Sequence, residues 1–247
     1  MKLPTLLLSI CVATAGWSQT YSNVTVLSTD NLSGAGNSNT TTNPGGGSGG
    51  TAASSYALTA GSGRTLTFQS VSGDISLSHP HVRTLPDGIQ ADGSAPFGLS
   101  LNVSSFGGVS GIALDRGSGF LAGVFLDAGY PSSAPASLTF VNSMGSASGT
   151  NVGFTMLAPL IGQIFFIGDG RTGNGSGATQ TFNVPNGATR LFLGIVDAGS
   201  YSGAPGQFQD NDGQFNASFQ VVPEPTTLAA VALGVSLLAR RRRQASN

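Results

Sequence analysis

Residues 213–222 read GQFNASFQVV. Phe215, Ala217, Phe219 and Val221 alternate with Gln214, Asn216, Ser218 and Gln220, a period of two that sets apolar groups on one face of an extended strand and polar groups on the other. Such a strand has one dry face and one wet face. Working outward, seven more short apolar runs lie in the preceding 150 or so residues: RTLTFQSV, GLSLNV, FLAGVFL, ASLTFV, QIFFI, TQTFNV and TRLFLGIV, each bounded by Gly, Pro, Asn or Asp. No stretch between them has the period of an amphipathic helix, and the gaps lack the long helical crossovers of a parallel α/β fold. The reading is all-β: an antiparallel β-sandwich of two packed sheets spanning residues 58–222.

The chain has 247 residues, 39% of them hydrophobic, which is enough for one sizeable domain. Charged residues make up 9%, against about 25% in an ordinary soluble domain. Between Gln19 and Pro225 there are five Arg, no Lys, ten Asp and one Glu, so this body carries a net charge of about −6. That balance repels phosphate backbones, suits cations and excludes nucleic acid as a partner. The absence of lysine from the body also excludes a P-loop.

The two ends obey separate physics. Lys2, the apolar run Leu3–Ala15 and the small residues around Gly16 form a secretory signal pattern, so residues 1–18 are read as a signal peptide. Cys11, the single cysteine, lies inside it, and Ile10 before it is not the small residue of a lipoprotein signal. Its removal leaves no thiol for disulfides, nucleophiles or thiolate metal sites. Residues 34–56, GAGNSNTTTNPGGGSGGTAASSY, carry almost no apolar side chains, and the whole of 19–57 is read as a flexible segment.

Several local patterns could carry chemistry. GDGRTG at 168–173 matches GxGxxG, but the helix that a dinucleotide needs after it is replaced by NGSGATQTFNVP, so a turn is expected. His79 and His81, in SHPHVR, are the only imidazoles and lack a third metal ligand nearby in sequence; loop histidines are expected. No strand-to-helix nucleophile elbow supports a Ser-His-Asp triad. Paired catalytic carboxylates find no support either, since the single glutamate sits in the terminal tract. FLDAGYPSSAP at 125–135 and GIVDAGSYSGAP at 194–205 both carry an apolar strand into Asp-Ala-Gly and on to Ala-Pro. Similar turn needs at two strand ends are the expected account, with a duplicated structural unit as the alternative.

IVDAGSYSGAPGQFQDNDGQF at 195–215 holds Asp197, Asp210, Asn211 and Asp212 between two strong strands. Calcium takes six to eight oxygens from carboxylates, amides and backbone carbonyls, all of which this loop contains. An EF-hand fails on register, because Gly213 as the turn glycine would put Phe208 and Phe219 at the first and twelfth positions. The residues themselves leave two readings: a calcium site of another kind, or an Asx-rich connection between strands.

The stretch FFIGDGRTGNGSGATQTFNVPNGATRLFLGIVDAGSYSGAPGQFQDNDGQFNASFQV resembles the calcium-dependent galactophilic bacterial lectin family, a β-sandwich of the galactose-binding type. Asp197 matches that family's strand-end aspartate, and Asp210 and Asn211 match its asparagine pair. Gln207 matches a position that contributes its backbone carbonyl. The resemblance implies that these four bind calcium, which then coordinates sugar hydroxyls directly. Asp210 in place of Asn adds negative charge to such a site.

The C-terminal tract PEPTTLAAVALGVSLLARRRR resembles the PEP-CTERM sorting signal: Pro223, Glu224 and Pro225, an apolar segment from Thr226 to Ala239, then Arg240, Arg241, Arg242 and Arg243. It implies recognition by an exosortase, a membrane processing enzyme of exopolysaccharide-producing Gram-negative bacteria. The apolar segment is 14 residues, about 21 Å as a helix against a hydrocarbon core of roughly 30 Å. It is read as a short hydrophobic helix that inserts transiently, with the arginines held in the cytoplasm. The expected product is a non-catalytic, exported protein of the cell envelope or extracellular matrix that binds calcium, with cell-surface or matrix polysaccharide as the expected ligand. The alternative is a structural matrix protein with neither metal nor sugar site; an uncharacterised hydrolase is the least supported.

Overall fold

The alternation at 213–222 becomes the strand Asp212–Pro223, in which Phe215, Ala217, Phe219 and Val221 are all buried. In the computed structural model, which describes residues 18–37, 43–78, 80–96, 99–142, 150–173 and 175–223, the protein is built of β-strands and short 3-10 turns. Each of the eight apolar runs contains a strand. The signal peptide reading, His79, Glu224, Pro225 and Arg240 to Arg243 lie outside the described residues.

Three sheets carry the fold. The largest pairs Gln19–Leu27 with Asp212–Pro223, then Arg64–Ser76, Thr181–Val184 and Met156–Leu157. A second holds Ile164–Phe166, Ala122–Leu126, Arg190–Gly194 and Ser54–Ala57 in antiparallel order. A third holds Thr150–Asn151, Leu138–Val141, Ile112–Asp115, Leu101–Val103 and Ser202–Gly203.

Apart from its edge strand Ser54–Ala57, which is largely exposed, the second sheet is dry on both faces. Phe125, Phe165, Leu191 and Leu193 pack with Phe68, Phe182, Phe215 and Phe219 of the largest sheet. From the opposite face, Val124, Leu126, Ile164, Phe166 and Phe192 pack with Leu101, Val103, Ile112, Leu114 and Phe140 of the third. Unbroken apolar runs such as QIFFI follow from this position, since a strand covered on both sides has no polar alternation.

Two sequence expectations are corrected here. Instead of two antiparallel sheets, three main sheets and two small two-stranded ones are found among the described residues, and two of the main sheets are mixed: Met156–Leu157 runs parallel to Thr181–Val184 in the largest, and in the third Leu138–Val141 runs parallel to Ile112–Asp115. The cause lies in the connection between those strands, which runs through Ala122–Leu126 of the central sheet and so returns the chain in its original direction. A strand in another layer serves as the crossover that a helix usually makes.

The reading of 19–57 as flexible also differs from what is found. Gln19–Leu27 is a strand of the largest sheet, Ser54–Ala57 edges the central one, and Leu32, Ser33, Gly34 and Ala35 are buried beside it. Between them Asn43–Gly50 lies against the loop that follows Gly194, held mainly by backbone and side-chain hydrogen bonds. Its glycines serve close approach. A β-carbon on Gly45 would stand 2.4 Å from the Ala204 carbonyl oxygen, and one on Gly50 2.4 Å from that of Thr29.

Candidate functional site

The strand Arg190–Gly194 runs on through Ile195, whose N–H and carbonyl are bonded to Asp30 and Leu32, and delivers Asp197 into the interior. The following loop turns sharply. Ala198 bridges to Pro205, and Ser200, Tyr201 and Gln207 all take left-handed backbone angles, sparsely populated for such residues. Gln207 then opens the 3-10 turn Phe208–Asp210, anchored by the buried Phe208 ring, and Asn211 leads into the last strand.

Asp197 is 2% exposed. Its Oδ1 accepts from the Ala198 N–H at 2.7 Å, and its Oδ2 has no hydrogen-bond partner. Burial pushes its carboxyl up to about 8, a rise opposed by the Ala198 N–H and the neighbouring Asn211 amide and reinforced by the charge of Asp210. The Asn211 amide lies close enough to lower the value, yet its Nδ2 donates to the Ser28 carbonyl at 2.9 Å and leaves Oδ2 of Asp197 unsatisfied.

Two more acceptors share this condition. Oδ1 of Asp210 and Oδ1 of Asn211 are buried without partners. Buried polar atoms are ordinarily paired, and an unpaired one costs about 1–3 kcal/mol. Three orphaned oxygens in one loop, two of them carboxylate, lack donors but are suited to a hard cation. Among the described residues no three His, Cys, Asp and Glu side chains cluster, and the donors here are two carboxylates and an amide.

Gln207 stands in the same loop, but its side chain is engaged. Nε2 donates to the Gly45 carbonyl at 2.9 Å, and Oε1 accepts from Gln209 Nε2 at 2.7 Å. Only its backbone is left for the role that the resemblance implies. Tyr201, which sequence reading did not single out, is half-buried in this loop; burial raises its phenol, and the charges of Asp197 and Asp210 add to the rise. Asp212 faces outward and binds Arg83 at 2.6 Å, with Asp74 on the other side of the guanidinium at 3.3 Å. Exposed pairs of this kind contribute little.

The matched sequence around Asp127 behaves differently. Arg190 pairs with Leu126 and Gly194 with Ala122, so the two Asp-Ala-Gly segments leave opposite ends of neighbouring antiparallel strands. Asp127 is exposed and its Oδ1 accepts from the Gly129 N–H at 2.9 Å, an Asx turn.

A second buried carboxylate pair escaped the sequence reading. Asp87 Oδ1 accepts from the Asp169 N–H at 2.9 Å, and both residues are buried. Asp169 in turn accepts from Arg171 N–H at 2.8 Å and Gly175 N–H at 2.5 Å. Burial, then the charge of Asp169, pushes Asp87 up to about 7. These bonds fix 168–170 as a turn, while Arg171–Gly173 continues as a strand paired with Ser176–Thr179; among the described residues no helix follows.

His81 is exposed. Pro223 ends the last strand, opposite Arg64, so the described fold runs directly into the terminal tract. No helix among the described residues is long and apolar enough to cross a membrane. No family model, curated protein or solved structure matches this chain.

Proposed function

We infer that this chain is an exported, non-catalytic, lectin-like all-β protein of the cell envelope or extracellular matrix. It binds calcium through Asp197, Asp210, Asn211 and the backbone carbonyl of Gln207, and uses the ion to hold surface or matrix polysaccharide. The observation that carries the calcium reading is the set of three buried oxygens without donors on the residues that the lectin resemblance points to. A divalent ion bound there supplies two positive charges to a body of net charge about −6. It also provides a Lewis-acidic point at which vicinal hydroxyls could replace water.

Delivery rests on the terminal tract. Pro223, Glu224 and Pro225 followed by the apolar segment and Arg240 to Arg243 support processing by an exosortase after transient membrane insertion. A second reading, a matrix protein whose loop merely makes turns, is favoured by the Asn211 bond to Ser28 and the Ala198 bond to Asp197, both of which serve the loop itself.

Melting the full chain in mild detergent with calcium and then with EDTA separates the two. Calcium at 100 times its dissociation constant adds about 2.7 kcal/mol to the folded state. The double variant Asp197→Ala, Asp210→Ala loses that gain. An unchanged melting temperature at millimolar calcium sinks the metal reading, and a glycan array silent with calcium present sinks the sugar reading alone.

A further inference from the structure

We propose that the glycine-rich segment Asn43–Gly50 is a calcium-controlled strap, and that Asn43 supplies the site with a further oxygen through its side chain. The proposal rests on the calcium reading above and extends it to a residue and a segment that the lectin resemblance does not reach.

Asn43 carries the fourth orphan of this region. Its Oδ1 is buried and without a partner, whereas its Nδ2 donates to the Gly46 carbonyl, which fixes the amide's orientation. The oxygen lies directly against Gly206, where a β-carbon would stand 1.9 Å from it. Gly206 also donates its N–H to the Asp197 carbonyl at 2.9 Å. One glycine thus joins the strap's unsatisfied oxygen to the residue that carries the buried, unsatisfied carboxylate.

The strap is attached mainly to the site's loop; at its far end Asn31 Nδ2 donates to the Gly49 carbonyl at 2.9 Å. Gly45 N–H donates to the Pro205 carbonyl at 3.0 Å, and Ser48 N–H to Gln209 Oε1 at 2.7 Å. In return Gln207 N–H donates to the Gly46 carbonyl and Phe208 N–H to the Ser48 carbonyl, both at 3.1 Å. Apart from Gly49 its residues are exposed or half-buried, and none has a sizeable apolar side chain. A segment held mainly by hydrogen bonds to a loop with left-handed backbone angles, and with few apolar contacts, opens at low free energy.

Without a cation, the closed strap leaves Asn43 Oδ1 buried and unpaired, in the same region as the unpaired oxygens of Asp197, Asp210 and Asn211. With one bound, the same oxygens become its ligands. Closure and ion binding therefore favour each other, and by linkage the factor is the same in both directions. The segment that composition marks as a linker becomes the movable wall of the site.

Hydrogen exchange on the full chain in mild detergent tests this, with calcium chloride and EDTA as the two conditions. The Gly45 and Ser48 amides should exchange at least about 10-fold more slowly with calcium, the strap now closing over an occupied site. Asn43→Ala should weaken calcium binding by about 10-fold and abolish the added protection, while Asn43→Asp restores both. If calcium raises the melting temperature but leaves those amides and the Asn43→Ala affinity unchanged, the strap proposal is overturned and the calcium site stands. If calcium has no effect on melting, both fall together.

Discussion

Asp197 makes the metal-free protein sensitive to pH in a direction opposite to that of most paired aspartates. Its carboxyl titrates near 8 in the fold and near the ordinary aspartate value when unfolded. Between those values the unfolded chain holds fewer protons than the folded one, so stability falls as pH rises and levels off above about pH 8. The slope approaches about 1.4 kcal/mol per pH unit for each such group. Asp87, pushed up to about 7, adds a second decline of the same sign that ends earlier. Denaturant titrations in EDTA from pH 4 to 8.5 should show the combined fall. Asp197→Asn should remove only the part that extends to pH 8. Because calcium must displace the Asp197 proton, its affinity should rise with pH across 6 to 8; a flat profile by calorimetry would contradict ligation through this carboxylate.

Among the strands and loops, the two cores are separable. Ile75 packs in the core between the largest and central sheets, and Ile112 in the core on the central sheet's other side. Ile75→Val and Ile112→Val should each cost about 0.5–1.5 kcal/mol. The double variant should lose the sum within about 0.5 kcal/mol, which equilibrium denaturation can check. Coupling well beyond that would mean one continuous core. Period-two alternation made the strand at 212–223 readable directly, because one of its faces is wet. QIFFI is legible as a strand, and its unbroken apolarity carries a second dry face, which period-two counting of one-sided strands does not register. The parallel return of Leu138–Val141 left no local trace, since direction depends on which sheet the intervening strand joins. The strap is illegible in composition, which records what side chains can bury, whereas Asn43–Gly50 is held by hydrogen bonds and close approach. At the candidate site, Asp197 could be found from the strong strand before it and the family pattern. Asp87 could not, because its partner Asp169 lies 82 residues away. Asn43 was hidden inside the supposed linker.

For the molecule as a whole, the terminal tract separates a charge-poor, acidic body from its only arginine cluster. Replacing Arg240 to Arg243 by Ala, or Pro223, Glu224 and Pro225 by Ala, should leave the uncut precursor in the membrane fraction of an exosortase-bearing host. Immunoblotting distinguishes that from a mature form about 2 kDa lighter, an estimate from roughly 20 residues removed. Release of mature-sized protein from both variants would refute processing at this tract. The position of Pro223 has a mechanical consequence. It closes a strand paired along its length with Arg64–Ser76 on one side and with Gln19–Leu27 on the other. Tension applied to the C-terminus therefore runs parallel to that strand and loads both ladders in shear. Many hydrogen bonds must yield together instead of one after another, as they would in peeling from an edge. Whatever the chain is tied to through its C-terminus, the pull enters the fold where it is braced on both sides.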